Sequence, residues 1–275
     1  MSPRDLPPPP EPLAVPVLDS HTHLDIVDSV AGIGPAEQVA AARAAGVDRL
    51  VQVGVDVASS HWGAEAATTY PEVVATVAVH PNEAPRLPDL DEALRAVEKL
   101  AGQERVRAIG ETGLDYYRTR PPGRPAQEAS FRAHIAIAKR YGRPLMIHNR
   151  DAHADILRVL DEEGPPDIVV MHCFSGDREH TATCVRHGYV LSFAGVVTFP
   201  NAEPLREAAR IAPPEQILVE TDAPFLTPMP YRGRTNGSYL IPLTVRALAE
   251  TKGMDLDTLC EAISATGERI FGPWA

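Results

Sequence analysis

The sequence predicts an α/β fold and, within that class, a single-domain (β/α)8 TIM barrel. Eight strand-like runs alternate with helix-like runs along the 275 residues. Several of these strand-like runs are rich in β-branched residues with little polar alternation, as is typical of strands covered on both faces. The length also suits one barrel of about 250 residues. The predicted strands are anchored near Asp19, Val53, Val79, Gly110, Ile147, Met171, Leu191 and Glu220.

Local patterns justify the individual elements. Five of the predicted strands are VPVLD (15–19), VRAIG (106–110), RPLMI (143–147), DIVVM (167–171) and QILVE (216–220). Four segments between strands have the amphipathic pattern of a helix that stops near a glycine, namely PAEQVAAARAAGV, DLDEALRAVEKLAG, PAQEASFRAHIAIAKRYG and ADILRVLDEEG. In the third of these, Phe131, Ile135 and Ala138 recur at helical spacing and Gly142 offers a C-cap. Residues 241–271 predict two final helices. An open doubly wound sheet is the alternative topology.

Composition and charge narrow the class of protein. The formal charge of −11 and the pI near 5.4 argue against a broad basic face for polyanions. They do not exclude a phosphate-bearing substrate, because bound cations can reverse the local sign. Three cysteines without CxxC spacing indicate a reducing compartment and no disulfide framework. No apolar run approaches the ~18 residues of a membrane span, so we expect a cytoplasmic protein that does not bind a membrane.

A proline-rich segment precedes the predicted domain. Residues 1–14 lack an apolar signal core and contain four consecutive prolines, which favour an extended left-handed conformation. We expect them to form a solvated tail, with the barrel at 15–275. No GxGxxG or P-loop motif follows any predicted strand, so nothing supports a site for a nucleotide cofactor.

Potential metal ligands stand at the carboxyl ends of the predicted strands. There are six of them: His21, His23, Glu111, His148, His172 and Asp222. Because the carboxyl ends of barrel strands share one face, these side chains would point into one mouth. His21 and His23 are two residues apart at a strand end, so both imidazoles can reach one cation. Imidazoles and carboxylates together suit divalent cations.

The two acidic residues of this set can do more than bind. Glu111 offers two oxygens and could bridge two cations about 3.5–4 Å apart. Asp222 could ligate a metal and accept the proton of an activated water. Plainer interpretations also exist, because Glu111 could pair with Arg107 and Asp222 could cap the segment that follows it. Each lone histidine, likewise, could be a satisfied core residue.

Other polar residues at the same mouth are candidates for contacting substrate. His80 ends the third strand, and we expect it to contact substrate rather than metal. Asn149, Arg150 and Ser175 occupy first-loop positions and could hold phosphate oxygens. The arginines of loops 116–125 and 225–238 could do the same, although a solvated surface role explains each of them as well.

Five segments together resemble a known family. DSHTHLD, GETGLDYY, RPLMIHNRDA, MHCFSG and VETDAPFLTP are similar, in order and spacing, to the signature segments of the TatD family of metal-dependent deoxyribonucleases. The likeness runs from about residue 15 to 271. It implies a TIM-barrel metallohydrolase of the amidohydrolase-like group that binds two or more divalent cations and cuts DNA phosphodiesters.

The resemblance also assigns roles to the candidate ligands. It implies that His21 and His23 hold one ion, that His148 and His172 hold a second, and that Glu111 bridges the two. The remaining ligand and base would be Asp222. One segment departs from the family pattern: after the last strand the chain reads RGRTNGS (232–238), without the usual Glu-Pro pair.

We therefore expect a deoxyribonuclease that hydrolyses a phosphodiester with a metal-activated water, acting as an exonuclease on nicked or single-stranded ends. Histidine ligands suit Mn²⁺ or Zn²⁺, and the family resemblance suggests Mg²⁺. One rival is a related barrel enzyme that cleaves C–N or ester bonds, such as a cyclic amidase or an aminoacyl-ester deacylase. Many amidohydrolases carry a carbamylated lysine where this chain has Glu111, which counts against that rival. A second rival is a catalytically silent binding protein. The sequence leaves the oligomeric state open.

Overall fold

A computed structural model describes residues 6–274. Its eight strands are β1 (Val17–Thr22), β2 (Val47–Val53), β3 (Val73–Val77), β4 (Val106–Asp115), β5 (Leu145–Arg150), β6 (Val169–Met171), β7 (Val190–Phe193) and β8 (Ile217–Val219). Its α-helices are α1 (Leu24–Ala31), α2 (Pro35–Ala44), α3 (Val57–Thr69), α4 (Leu90–Ala101), α5 (Arg124–Tyr141), α6 (His153–Glu163), α7 (Arg178–Arg186), α8 (Glu203–Ile211), α9 (Ile241–Lys252) and α10 (Leu256–Phe271).

The strand order decides between the two predicted topologies. One sheet contains all eight strands in the order β1 to β8, without the reversal of order that defines a doubly wound sheet. The first and last strands also meet, because Thr22 forms a parallel bridge with Ala223, just beyond β8. Consecutive parallel strands whose two ends join are the arrangement of a (β/α)8 barrel, so the predicted fold is confirmed.

The described residues form two compact units. The first comprises residues 6–52 and 176–274, and the second is Val53–Ser175. In the first unit, α10 packs closely on β1: a Cβ added at Gly267 would lie 2.6 Å from the side chain of Leu18. In the second unit, the inner face of α5 is the one predicted, with Phe131, Ile135 and Ala138 all buried.

The ends of the C-terminal helices and of α5 lie where the sequence predicts them. Gly142 caps α5 in the left-handed conformation (φ 59°), which an amino acid without a Cβ adopts at little cost. The two predicted C-terminal helices are α9 and α10, within the predicted range 241–271. Helix α1, directly after the HxH segment, was not predicted, because its eight residues are too few for a clear periodic pattern.

Three strands continue beyond their predicted carboxyl ends. β1 extends through His21, β4 runs on from Gly110 to Asp115, and β5 continues through Asn149 and Arg150. Polar residues near the site are therefore held by ladder hydrogen bonds instead of starting loops. The prediction that Asn149 and Arg150 occupy loop positions was wrong for this reason.

The proline-rich segment is not a solvated tail over its described part. Pro7 and Leu13 are buried, and the backbone N–H of Leu13 donates to the carbonyl of Ala45 at 3.1 Å. Backbone carbonyls of the segment also accept hydrogen bonds from three distant side chains, Arg234, Tyr239 and Arg246. Backbone carbonyls of a proline-rich segment remain good hydrogen-bond acceptors. The sequence pattern did not reveal that distant side chains would donate to them. Residues 1–5 of the predicted tail lie outside the described residues.

Within residues 6–274, no helix combines the length and the apolar character that crossing a membrane requires.

Candidate metal centre

The HxH segment places two imidazoles edge to face in the first unit, with an angle of 78° between the ring planes. His21 lies in β1, His23 follows as the N-cap of α1, and their Nε2 atoms are 3.3 Å apart. Both residues are buried. Two nitrogens bound to one zinc-like ion at ~2.1 Å each, with a bond angle near 100°, would lie about 3.2 Å apart. The observed separation therefore fits a shared cation.

Asp222 adds a carboxylate to this pair. Its Oδ1 atom is 3.4 Å from Nε2 of His23 and 3.7 Å from Nε2 of His21. Asp222 adopts a positive φ of 53°, and its backbone N–H donates to the carbonyl of His21 at 2.8 Å. This bond ties the chain after β8 to β1. The first unit thus holds a cluster of His21, His23 and Asp222, which we call cluster A.

Asp19 supports cluster A from beneath. It is fully buried, and its carboxylate accepts hydrogen bonds from the hydroxyl of Thr221 at 2.5 Å and from the backbone N–H of His21 at 3.2 Å. Burial raises the pKa of Asp19 to about 7, while the hydrogen bonds from Thr221 act in the opposite direction. Asp19 therefore links the end of β1 to the segment after β8, the two places that carry the residues of cluster A.

In the second unit, three imidazoles surround one carboxylate oxygen. Oε1 of Glu111 lies 2.6 Å from Nδ1 of His148, 3.3 Å from Nε2 of His172 and 3.4 Å from Nε2 of His80. Glu111, His80 and His148 have ligand atoms close enough together to hold one metal ion. We call Glu111, His148, His172 and His80 cluster B. The alternative that Glu111 pairs with Arg107 is not what this geometry favours.

Local backbone packing brings β4 and β5 close enough to form cluster B. Gly113 pairs with His148 in the parallel ladder. Gly113 has φ 136°, and a Cβ there would lie 2.1 Å from the carbonyl oxygen of His148. Only glycine fits at this position, because any side chain would push the strand that carries Glu111 away from His148.

Asp115 is a member of the site that sequence reasoning missed. Its Oδ2 atom lies 3.2 Å from Nε2 of His148 and accepts a hydrogen bond from Nδ2 of Asn82 at 2.9 Å. Burial alone would raise the pKa of Asp115, but hydrogen bonds from His148, the Arg118 backbone and Asn82 hold it below its usual range. The signal that could have found Asp115 is its spacing, because even spacing in a strand puts Glu111 and Asp115 on one face.

The donor set fits divalent cations. Both ring nitrogens of His148 face carboxylate oxygens, of Glu111 and of Asp115. That geometry suits either an imidazolium or a neutral ring that shares a cation with Glu111. Clusters A and B both combine imidazole nitrogens with carboxylate oxygens, the ligands that Zn²⁺ and Mn²⁺ accept.

The residues that we expected to contact substrate lie close in sequence to the candidate ligands of cluster B: Asn149 and Arg150 follow His148, and Ser175 follows His172. Asn149 contacts Nδ1 of His153 at 2.8 Å through its amide, and Ser175 donates to the Asn149 carbonyl at 3.5 Å. The guanidinium of Arg150 lies 4.0 Å from the ring centroid of Tyr117. His80 was expected to contact substrate, but the structure places it among the candidate ligands of cluster B.

Two arginines of the loop after β8 have contacts within the first unit. The guanidinium of Arg232 lies 4.5 Å from the ring centroid of Phe199, and Arg234 donates to the carbonyl of Leu6. In the segment that departs from the family pattern, Arg234 thus anchors the N-terminal segment.

Comparison with known proteins decides the family. A family model described as TatD related DNase matches residues 18–272, which is nearly the whole chain. The chain belongs to the TatD related DNase family. A relative from Mycobacterium tuberculosis (strain ATCC 25618 / H37Rv), named an uncharacterized metal-dependent hydrolase TatD, is 44% identical over 264 residues, covering 93% of this chain and 98% of the relative. A relative from Citrobacter rodentium (strain ICC168), named 3'-5' ssDNA/RNA exonuclease TatD, is 36% identical, covering 86% and 91%.

Solved structures agree with this TatD assignment at the level of the fold. The TatD homologue YJJV from Escherichia coli K12 superimposes with a TM-score of 0.87 at 24% identity, covering 94% of this chain and 98% of that one. A TatD family hydrolase from Entamoeba histolytica gives a TM-score of 0.79 at 20% identity, covering 94% and 99%. The resemblance inferred from five sequence segments is confirmed, and the chain is a metal-dependent hydrolase of the TatD family.

Proposed function

We propose that this TatD family hydrolase is a deoxyribonuclease that cleaves phosphodiester bonds from the ends of DNA strands. The observation that carries the proposal is the pair of clusters, each combining imidazoles with a carboxylate at the carboxyl ends of strands. In a (β/α)8 barrel those strand ends form the face on which active sites are built. The 36% identical relative named a 3'-5' ssDNA/RNA exonuclease supports an end-directed nuclease that accepts single strands.

The proposed centre is dinuclear. Cluster A (His21, His23 and Asp222) would hold one divalent ion, and His148 with His172 would hold a second. Glu111 would be a ligand of the second ion, and His80 would complete that ion's ligands or orient Glu111. Two or more ions of Mg²⁺, Mn²⁺ or Zn²⁺ are compatible with these nitrogen and oxygen donors.

When bound, such cations supply Lewis acidity, which polarises a phosphoryl oxygen and makes an attacking water a stronger nucleophile at neutral pH. The protein's own residues would do the rest. The carboxylate of Asp222, whose side chain is 18% exposed, would take the proton from the attacking water. Asp115 would hold the imidazole ring of His148 in position through its hydrogen bond to Nε2.

Substrate would be held by polar groups at the end of the second unit. The guanidinium of Arg150, the amide of Asn149 and the hydroxyl of Ser175 would hold phosphate oxygens of the strand. The chain carries a formal charge of −11, so a polyanion would gain little from the overall field of the protein. We therefore propose that affinity for DNA is concentrated at the metal centre and its rim.

The proposal is tested by elemental analysis of purified protein together with digestion of end-labelled oligonucleotides. We expect at least two divalent ions per chain and stepwise shortening of a single-stranded substrate from one end. Glu111→Gln should lose both activity and metal, while His61→Ala, a change at an exposed histidine of α3, should lose neither. Turnover of amide or aminoacyl-ester substrates but not of oligonucleotides would overturn the nuclease proposal.

A further inference from the structure

An exposed aromatic side chain lies beside cluster B. Tyr117 is 66% exposed, more than any other large apolar side chain within residues 6–274. It belongs to the turn that follows β4, two residues after Asp115. Because Asp115 contacts Nε2 of His148 at 3.2 Å, this turn starts at the wall of the candidate metal centre. Tyr117 is therefore an exposed aromatic residue two positions from a side chain that contacts a candidate metal ligand.

The turn is held firmly in place. The backbone N–H of Tyr116 donates to the carbonyl of Arg150 at 2.9 Å, which continues the β4–β5 ladder by one bond. The carboxylate of Asp115 accepts a hydrogen bond from the backbone N–H of Arg118 at 2.8 Å, and this bond closes the turn. A side chain presented by such a turn is pre-organised, so it loses little conformational entropy when it binds.

The two adjacent tyrosines have different surroundings. The hydroxyl of Tyr116 donates to Asp155 at 2.7 Å, and the guanidinium of Arg124 lies 3.9 Å from the centroid of its ring. Burial, together with the bond to Asp155, raises the pKa of Tyr116 to about 12. Tyr116 is therefore part of the structure that anchors the turn. Tyr117 instead points outward, with the guanidinium of Arg150 4.0 Å from its ring centroid.

We propose that Tyr117 and Arg150 form a stacking platform for an unpaired nucleobase next to the phosphodiester that is cut. The ring of Tyr117 would stack on the base, since every base has a π-face, and Arg150 would hold the ring and contribute positive charge towards the neighbouring phosphate. This inference rests on the proposed nuclease function and adds a determinant of substrate class to it. The platform selects for unpaired strands without reading base identity.

The platform has a consequence for paired ends. A base within a duplex is already stacked and paired, so placing it on Tyr117 would require breaking those interactions first. Terminal nucleotides of single strands and frayed ends carry no such requirement. The platform therefore predicts faster removal of nucleotides from single-stranded ends than from blunt duplex ends.

The test compares kcat/KM of the metal-loaded full chain on two single-stranded oligonucleotides of one length. The first is unmodified, and the second carries abasic sites at its terminal positions, which keep the phosphodiesters but remove the bases. We expect Tyr117→Ala to reduce kcat/KM on the unmodified strand roughly ten- to a hundred-fold, the loss typical of one stacked base. On the abasic strand the same substitution should have an effect of less than about two-fold.

Matched variants separate stacking from general disturbance. Tyr117→Phe keeps the ring and should retain activity on both strands. Tyr141→Ala removes another exposed aromatic side chain at the last residue of α5 and should leave both rates unchanged. If Tyr117→Ala slows both strands equally, or neither, the platform is overturned while the nuclease function stands. If the unaltered protein cuts neither strand, the nuclease function falls and the platform with it.

Discussion

The backbone N–H of Asp222 donates to the carbonyl of His21 at 2.8 Å, joining residues from opposite ends of the sequence. The bond uses only main-chain atoms, so it survives any substitution of either side chain except proline at position 222. Asp222 can therefore be altered chemically while the strand ends that carry cluster A stay joined. This separation of backbone and side-chain roles makes the site accessible to mutagenesis.

Asp222→Asn should lower kcat by about a hundred- to ten-thousand-fold, because an amide cannot take up the proton of the attacking water. The midpoint of thermal unfolding should change little, since the backbone bond remains. Rates on a labelled oligonucleotide and calorimetric melting curves check this. Glu261→Gln, a change at an exposed carboxylate on α10, is the control. A parallel loss of stability and activity would make Asp222 a structural residue.

His148→Ala should reduce the metal content of the purified protein by about one ion per chain. The imidazole contacts Glu111 through Nδ1 and Asp115 through Nε2, so its removal leaves two carboxylates without their shared partner. Elemental analysis after dialysis measures the effect. His187→Ala, a change at an exposed histidine, should leave metal content as it is. Unchanged metal content in the His148 variant would contradict the ligand assignment.

Removal of metal should destabilise the protein reversibly. A ligand that binds only the native state stabilises it by RT ln(1 + [L]/Kd), about 2.7 kcal/mol when the free ion is at a hundred times Kd. We expect a chelator to lower the thermal midpoint by several degrees and added Mn²⁺ or Zn²⁺ to restore it. Glu111→Gln should show a much smaller response to the chelator. An equal response in that variant would place the stabilising ion elsewhere.

His134 should make stability depend on pH below neutrality. Burial lowers its pKa from 6.5 to about 4, while its bond to the Ser130 carbonyl acts in the opposite direction. Nε2 of His134 accepts a hydrogen bond from the backbone N–H of Val79 at 3.1 Å, so the native state holds the imidazole ring neutral. Below pH 6.5 the unfolded state binds a proton that the native state does not. Stability from this group is therefore present above pH 6.5 and is lost as the pH falls towards 4.

The size of the His134 effect is measurable. Between pH 7 and pH 5 the linkage amounts to about 2 kcal/mol of unfolding free energy. Urea unfolding at both pH values should show a larger loss for the unaltered protein than for His134→Gln, which cannot titrate. His187→Gln, at an exposed position, should behave as the unaltered protein does. Equal pH dependence in all three proteins would refute the assignment.

Leu13→Ala should destabilise the protein by about 2–3 kcal/mol, because Leu13 is only 5% exposed and packs against Gly46. A Cβ at Gly46 would lie 2.6 Å from the Leu13 carbonyl oxygen, which shows how closely the two segments approach. Pro12→Ala, at the exposed neighbouring position, should have an effect below about 0.5 kcal/mol. Chemical denaturation measures both. A solvated tail would show no difference between them.

The fold and most of the candidate site could be predicted because both depend on short local patterns. Buried strands read as β-branched runs, and in a barrel their carboxyl ends share one face, so His148 and His172 could be placed from their position near the ends of β5 and β6. Asp115 was missed because its role depends on Asn82 and His148, which only the folded chain brings near. The docking of residues 6–13 likewise depends in part on partners more than 200 positions away, such as Tyr239.

The hydrogen bond from Arg234 to the carbonyl of Leu6 has a practical consequence for anyone who purifies this enzyme. Through this bond the N-terminal segment around Leu6 is held against the loop after β8. Shortening this segment, or attaching a bulky fusion close to Leu6, would disturb that loop directly. Rates from preparations that differ in this segment are therefore comparable only when the hydrogen bond between Arg234 and Leu6 is kept.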